Sequence, residues 1–196
     1  MAHIVRFRLI GLTPYSQSRR HETERIDGES NDDYSRRTWR NQLHVNGNGG
    51  VFIPPGAIKG CVDEAAKFMA IALPGRGGKA LYTKHIEAGV SCTQPVDIGV
   101  KVEDVICEEL FLSPTGKPRD GKQIKKYCTR IDRWSGDAEL LIFDDIVLNT
   151  MKDQERTVLQ ACIEGGGTFI GIGRFRPKNR GFYGRFKIEN FRVEAV

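Results

Sequence analysis

The residues with the most evident chemistry lie late in the chain, in the stretch 165–186 (GGGTFIGIGRFRPKNRGFYGRF). Its basic side chains alternate with aromatic ones and are Arg174, Arg176, Lys178, Arg180 and Arg185. Glycine lets a backbone approach a ligand closely, arginine pairs with phosphate, and aromatic rings stack on unpaired bases. The stretch therefore predicts a surface for a single-stranded nucleic acid. The alternative is a hairpin with a solvated basic tip.

Two further segments are basic. Residues 113–134 carry the densest positive charge in the chain and predict a backbone-tracking loop, with Lys122, Lys125 and Lys126 as candidate contacts. The polar segment 16–40 has acidic residues in its middle and arginines towards both ends, and its candidates are Arg19, Arg20, Arg36 and Arg37. A polar segment of this length is typically functional or disordered, so we expect a flexible excursion with basic roots near the domain body.

Catalytic side chains are sparse. Asp27, Asp32 and Asp33 are candidates for assisting attack by a ribose 2′-hydroxyl, and His21 is a candidate general base. The sequence contains no hydrolase, zinc-protease or dinucleotide-binding motif in a suitable context. We expect no cofactor and no metal.

Composition limits the class of protein. With 196 residues the chain predicts one domain, and its formal charge of +5 suits an anionic partner. No apolar run reaches membrane-spanning length, so no membrane partner is expected. The start of the chain reads as a strand with alternating arginines instead of a signal peptide. The five cysteines are widely spaced, which is typical of free thiols in a reducing cytoplasm.

The apolar periodicity predicts the elements that position these residues. Strands are expected over 3–12, around an Asn-Gly turn at 46–49, within 95–112, over 138–148, over 168–172 and over 185–193. Helices are expected over 57–73, 81–88 and 151–164. Without insertions the order is β-α-β-β-α-β, which predicts an α+β, ferredoxin-like (RRM-like) antiparallel sheet with two helices on one face. The other face would be free for a single strand.

One motif resembles a known family. The segment 53–60 (IPPGAIKG) before a helix, together with the glycine-rich turn 165–174, resembles the RAMP superfamily of CRISPR proteins, above all the backbone subunits that polymerise along CRISPR RNA. The resemblance implies one domain over 1–196, with a palm core of about 1–14, 42–112 and 135–196. It makes 16–40 a finger-like insertion and 113–134 a candidate thumb, and it adds Lys59 to the RNA-binding candidates.

The resemblance also implies a role in antiviral defence. It implies a cytoplasmic ribonucleoprotein in which this chain binds guide RNA, assembles side by side with copies of itself and contacts other CRISPR effector subunits. No aspartate aligns with the one that cuts target RNA in some members, so we expect binding without catalysis. Two alternatives stay open: a RAMP-type endoribonuclease acting on CRISPR or target RNA, and a solitary or virus-borne mimic that blocks or caps a CRISPR complex.

Overall fold

The structure, a computed structural model, describes residues 2–75, 80–112, 124–152 and 154–196. It is an α+β fold whose described part holds these helices and strands: β1 His3–Gly11, α1 Asn31–Thr38, β2 Gly50–Ile53, α2 Pro55–Met69, α3 Thr83–Gly89, β3 Val90–Ser91, β4 Val96–Lys101, β5 Ile106–Leu112, β6 Ile124–Arg130, β7 Ser135–Ile142, α4 Val158–Gly165 and β8 Phe186–Ala195. None of the helices in these residues has the length and apolar character needed to cross a bilayer.

The central sheet has four strands in the order β3-β7-β1-β8, and every pair in it is antiparallel. The alternation in β1 buries Val5, Phe7 and Leu9 and leaves Arg6 and Arg8 on the opposite face. The buried side chains pack in one cluster with the apolar sides of α2 and α4. One face of the sheet is therefore covered, as the alternating sequence predicts.

Two smaller antiparallel pairs extend this body. Strand β2 pairs with β4, and β5 pairs with β6 from Ile106–Arg130 to Leu112–Ile124. The predicted Asn-Gly turn is present, although only one bridge, Val45–Val51, joins its two sides. The prediction of a loop over 113–134 is wrong from residue 124 onward. Residues 124–130 form a strand, and Trp134 is buried. Residues 113–123 lie outside the described residues.

Helix α2 starts at Pro55, two residues before the predicted start, and ends earlier than predicted, where Ala70 turns left-handed with φ of 47°. Near its end, Phe68 is 62% exposed, and its ring centre lies 5.2 Å from that of the exposed Phe169. The predicted helix over 151–164 is confirmed only from Val158 onward. The short helix predicted at 81–88 is confirmed as α3.

The predicted strand over 168–172 is wrong. Residues Gly166–Ile170 continue α4 as one turn of π-helix, and residues 171–185 follow as a folded loop. Arg174 and Arg176 therefore do not share one face of a strand. Phe175 between them takes φ of 56° and is half-buried.

The packing of the π-helical turn against β8 generates a stability prediction. Gly167→Ala should lower the free energy of unfolding by about 1–3 kcal/mol, because a Cβ there collides with the backbone oxygen of Phe186. Gly47→Ala is the matched control, since nothing lies within 4 Å of its added Cβ, and it should change stability by less than about 0.5 kcal/mol. Urea unfolding measures both variants. Equal midpoints would contradict this packing.

Candidate nucleic-acid interface

A basic depression of the described surface is formed by the segment 18–42, β6 and the loop after the π-helical turn. Its volume is about 770 Å³. The cationic residues that line it are Arg19, Arg20, Arg25, Lys125, Lys126 and Arg174, and the one acidic residue is Asp32. We call this depression the basic groove. Cations with so few opposing acids create a positive potential that attracts a polyanion.

The start of the groove is fixed by a buried polar residue, Gln17. Its backbone N–H donates to Thr129 Oγ1 at 2.8 Å, and its side-chain amide donates to the Phe52 backbone oxygen at 2.8 Å. Its Oε1 accepts from the His44 backbone N–H at 2.6 Å. These bonds satisfy the buried amide and tie the segment to β6 and β2. Arg19, two residues later, starts from a rigid position.

Arg174 reaches the same groove because the glycine-rich loop folds against residue 16. The Arg174 N–H donates to the Ser16 backbone oxygen at 2.8 Å, and its guanidinium donates to Gln42 Oε1 at 3.0 Å. Gly173 has φ of 75°, and a Cβ there would collide with Ser16 and the Tyr15 ring. The close approach that this glycine permits is therefore to the protein's own backbone, not to a ligand as predicted.

Strand β6 supplies the two lysines. Lys125 pairs with Glu109 of β5 at 2.8 Å, which also raises its pKa through a hydrogen bond to that carboxylate. Lys126 has no ion pair with any residue in the described ranges, so its charge stays available to a ligand. The lysine pair was predicted from charge density alone, and the strand gives it a rigid support.

A second, smaller depression of about 350 Å³ continues from the basic groove along the start of α2, and Ser18 lines both. Gly56 and Gly60 lie on this side of α2, and nothing stands within 4 Å of a Cβ added at either. Glycine inside a helix costs stability relative to alanine. Because no contact in the protein demands Gly60, the open space fits the close approach of a ligand.

The charges beside this second depression are already balanced. Arg176 and Lys178 pair with Glu64 of α2 at 3.1 and 2.8 Å. Partial burial opposes ionisation of Glu64, but Lys178 and Arg176 together outweigh it and lower its pKa. These two predicted RNA contacts therefore hold the glycine-rich loop on α2 and contribute little free positive charge.

Other predicted contacts are also occupied within the protein. Arg37 pairs with Glu29 at 2.7 Å, and Lys59 pairs with Asp63 while donating to the Glu87 backbone oxygen at 3.0 Å. The Arg185 guanidinium donates to the backbone oxygen of Thr168.

Of the remaining predicted contacts, Arg36 and Arg180 lie in the described ranges and do not line the basic groove. The Arg36 guanidinium lies 6.0 Å from the centre of the Tyr127 ring. Arg180 is exposed in a left-handed turn with φ of 63°. Lys122 lies outside the described residues.

Among the predicted catalytic candidates, His21 and Asp32 line the basic groove, whereas Asp27 and Asp33 do not. Asp33 caps the start of α1 together with Ser30. Its carboxylate accepts a hydrogen bond from Ser30 Oγ at 2.6 Å, and its backbone N–H donates to the same oxygen at 3.2 Å. His21 Nδ1 is 2.9 Å from Thr23 Oγ1. Within the described ranges no cluster of His, Cys, Asp and Glu could hold a metal ion.

The open face of the sheet differs from the basic groove. Arg6 pairs with Glu139 at 2.9 Å and Arg8 with Asp137 at 3.0 Å. This face is balanced in charge, so the expectation that the free sheet face attracts a single strand is not supported by its electrostatics. Sequence reasoning also missed Arg25 and Gln42 as groove residues, because their proximity to β6 depends on long-range folding.

No protein-family model matches the sequence, and the search of curated proteins gives no match. Among solved structures, the chain is similar to one in the "Cryo-EM structure of the Type III-B Cmr-beta bound to cognate target RNA", with a TM-score of 0.51 and 12% identity. That match covers 99% of this chain and 61% of that chain. The "Crystal structure of Cmr6 from Pyrococcus furiosus" has a TM-score of 0.49 and 13% identity, covering 96% and 99%.

Of these two, only the first reaches a score at which a shared fold follows. At that level it confirms the predicted resemblance as one of fold. The chain spans 61% of the length of that structural neighbour, and at 12% identity the likeness concerns the fold alone.

The Glu64 ion pairs generate a prediction with a pH dependence. Glu64→Gln should lower the free energy of unfolding by about 1 kcal/mol at neutral pH, because two partly buried cations lose their partner. Since the folded protein lowers the pKa of Glu64, the ionised form stabilises the fold, and this contribution is lost as the pH falls through the lowered value.

The difference between wild type and variant should thus be full above about pH 5 and fade below about pH 4, around the ordinary glutamate pKa. Chemical unfolding at pH 7, 5 and 3 measures it. A difference that stays constant down to pH 3 would show that the carboxylate charge is not what holds the loop.

Proposed function

We propose that this chain is a CRISPR-type RNA-binding subunit that holds single-stranded guide RNA in the basic groove and does not cut it. The observation that carries the proposal is the convergence on one depression of six cationic side chains, of which only Lys125 has an ion-pair partner among the described residues. They come from three distant parts of the chain, which argues against an incidental run of surface charge. Phosphate contacts of this kind supply most of the affinity for a polyanion.

The fold supports the same proposal. The strand order β3-β7-β1-β8 with α2 after β1 and α4 after β7 agrees with a ferredoxin-like (RRM-like) arrangement. In this proposal the four-stranded sheet with α2 and α4 is the palm, residues 16–40 are the finger-like insertion, and the β5–β6 pair is the base of a thumb. The basic groove then lies where finger, thumb base and glycine-rich loop meet.

The groove continues along α2, which gives the RNA a second surface. Gly60 leaves the helix backbone open, and a sugar-phosphate chain could approach it more closely than any side chain would permit. Partners in this proposal are guide RNA, further copies of the chain along that RNA and other CRISPR effector subunits, within the cytoplasm. The structural neighbour Cmr-beta is bound to target RNA, which supports this class of partner.

A RAMP-type endoribonuclease is the second candidate, because His21 and Asp32 both line the groove. Incubation of the protein with single-stranded RNA, with and without Mg²⁺, followed by a denaturing gel, separates the two candidates. Our proposal expects intact RNA in both lanes. Products that vanish in an Asp32→Ala variant would establish the enzyme instead.

The binding proposal is tested with a pair of double variants of equal charge. Arg19→Ala with Lys126→Ala should weaken binding to single-stranded RNA roughly 30-fold, at about 2 kcal/mol for two charged contacts. The slope of log K against log salt should become less negative by about 1.4, using the coefficient for single strands. The control, Lys84→Ala with Arg192→Ala, removes two cations that do not line the groove.

Fluorescence anisotropy at several salt concentrations measures both proteins. The control should bind about as tightly as wild type. Equal weakening in both double variants would mean that net charge alone, and not the groove, attracts RNA.

Gly60→Ala separates ligand contact from stability. It should raise the free energy of unfolding by about 0.5–1 kcal/mol, because alanine is the better helix former and its Cβ meets no atom within 4 Å. The same methyl group should weaken RNA binding if the backbone of α2 is approached closely. A more stable variant with unchanged RNA affinity would remove the α2 surface from the proposal.

A further inference from the structure

Part of the basic groove is lined by planar side chains instead of point charges. The Arg25 guanidinium lies 4.8 Å from the centre of the Tyr34 ring, and the His21 ring lies 6.2 Å away at an interplanar angle of 26°. All three side chains line the groove. Planar aromatic and guanidinium groups are the surfaces on which unpaired bases stack.

These planar groups are held in place by their own hydrogen bonds. The Tyr34 hydroxyl donates to the Thr23 backbone oxygen at 2.9 Å, and His21 Nδ1 lies 2.9 Å from Thr23 Oγ1. The Arg25 guanidinium donates to Asn31 Oδ1 at 2.6 Å. A preorganised surface loses little conformational freedom on binding, so stacking on it is efficient.

Asp32 is the exception among the charges of the groove. Its carboxylate accepts no hydrogen bond from any residue in the described ranges, and a charge–charge attraction links it to Lys125 across the groove, a minor cause of the raised pKa of that lysine. A carboxylate in the basic groove repels phosphate. A general affinity of the groove for RNA therefore does not explain why Asp32 lies there. Its position in the first turn of α1 favours the helix electrostatically, but Asp33 occupies the same turn and accepts from Ser30.

A carboxylate whose oxygens accept no hydrogen bond from the described residues, beside a stacking surface, discriminates between bases. It offers two acceptor oxygens and no donor. Guanine alone presents two adjacent donors, N1–H and N2–H, on its Watson–Crick edge. Adenine and cytosine place an acceptor next to their single amine, and uracil places its N–H between two carbonyl oxygens, so each of these sets an oxygen or nitrogen lone pair against the carboxylate.

We infer that the basic groove contains a guanine-selective subsite, in which an unpaired guanine of the bound strand stacks on the planar groups of His21, Arg25 and Tyr34 and donates both Watson–Crick N–H groups to Asp32. The cations of the groove take the phosphates on either side. This inference rests on the proposed RNA binding and adds to it the base that is recognised. The groove volume of about 770 Å³ leaves room for a base together with its sugar and phosphate.

The experiment compares two RNAs and three proteins. The RNAs are a uridine 12-mer and the same oligomer with one central guanosine, and binding to the full chain is followed by fluorescence anisotropy. Wild type should bind the guanosine RNA about 5- to 150-fold more tightly, the range of a good two-bond base contact. Adenosine and cytidine at the central position should give no such gain.

Asp32→Ala should change the two affinities in opposite directions. Affinity for the guanosine RNA should fall, because the acceptors are lost, while affinity for the uridine RNA should rise, because an anion leaves the groove. Asp33→Ala removes the same charge, but Asp33 does not line the groove. This variant should therefore keep the preference for guanosine. Circular dichroism confirms that both variants fold.

The remaining outcomes are also decisive. If wild type binds both RNAs equally, or if Asp32→Ala raises both affinities by the same factor, Asp32 is only a surface acid and the subsite does not exist. If neither RNA binds measurably, the proposed function itself fails, and this result is distinct from a loss of preference. A guanosine preference that Asp33→Ala abolishes as well would assign the effect to α1 as a whole and overturn the role of Asp32.

Discussion

The structure depends on the way a short buried segment, residues 15–17, is held between two other parts of the chain. On one side, Tyr15 and Ile131 exchange backbone hydrogen bonds at 2.8 and 2.9 Å. On the other side, the Ser16 backbone oxygen accepts from Arg174. The glycine-rich loop can lie this close only because Gly173 has no side chain. A polar segment is thereby buried with its hydrogen bonds satisfied, and the basic groove opens directly beyond it.

The distribution of charge follows from the same architecture. Basic residues lie on several surfaces, and many have an acidic partner: Glu64 holds Arg176 and Lys178 of the glycine-rich loop, and Glu139 and Asp137 hold the arginines of the open sheet face. In the groove the cations outnumber the acids, which leaves the field unbalanced. Density of basic residues in a sequence is thus a poor guide to where an anion binds. The acids that neutralise them have to be located first.

The sequence predicted the elements whose signals are local. The alternation of apolar and basic residues predicted β1, and the Pro-Pro pair predicted the start of α2. The order of the elements predicted the α+β class. It did not predict α1, which is polar and begins with a Ser30–Asp33 cap. It also mistook the apolar end of the π-helical turn for a strand, because a short apolar run has no periodicity that separates the two.

Site prediction was limited in a related way. The lysines of β6 and the arginines at the ends of 16–40 were recognised from charge, and the structure brings several of them together in one groove. Arg176 was selected for the same reason, yet its partner Glu64 lies 112 residues away in sequence. Only the fold reveals such a pair. The planar groups around Tyr34 were likewise invisible, because they stack through contacts between residues 21, 25 and 34 that no simple spacing indicates.

The central claim is that RNA lies in the basic groove and not on the open face of the sheet. The most direct measurement is photocrosslinking of a single-stranded RNA containing 4-thiouridine, followed by mass spectrometry of the crosslinked peptides. The account predicts crosslinks in the peptides that carry Tyr34, residues 19–21 and Lys125–Lys126, all of which line the groove. Crosslinks confined to the strand peptides that carry Arg6, Glu139 and Arg192 would place the RNA on the sheet and contradict it.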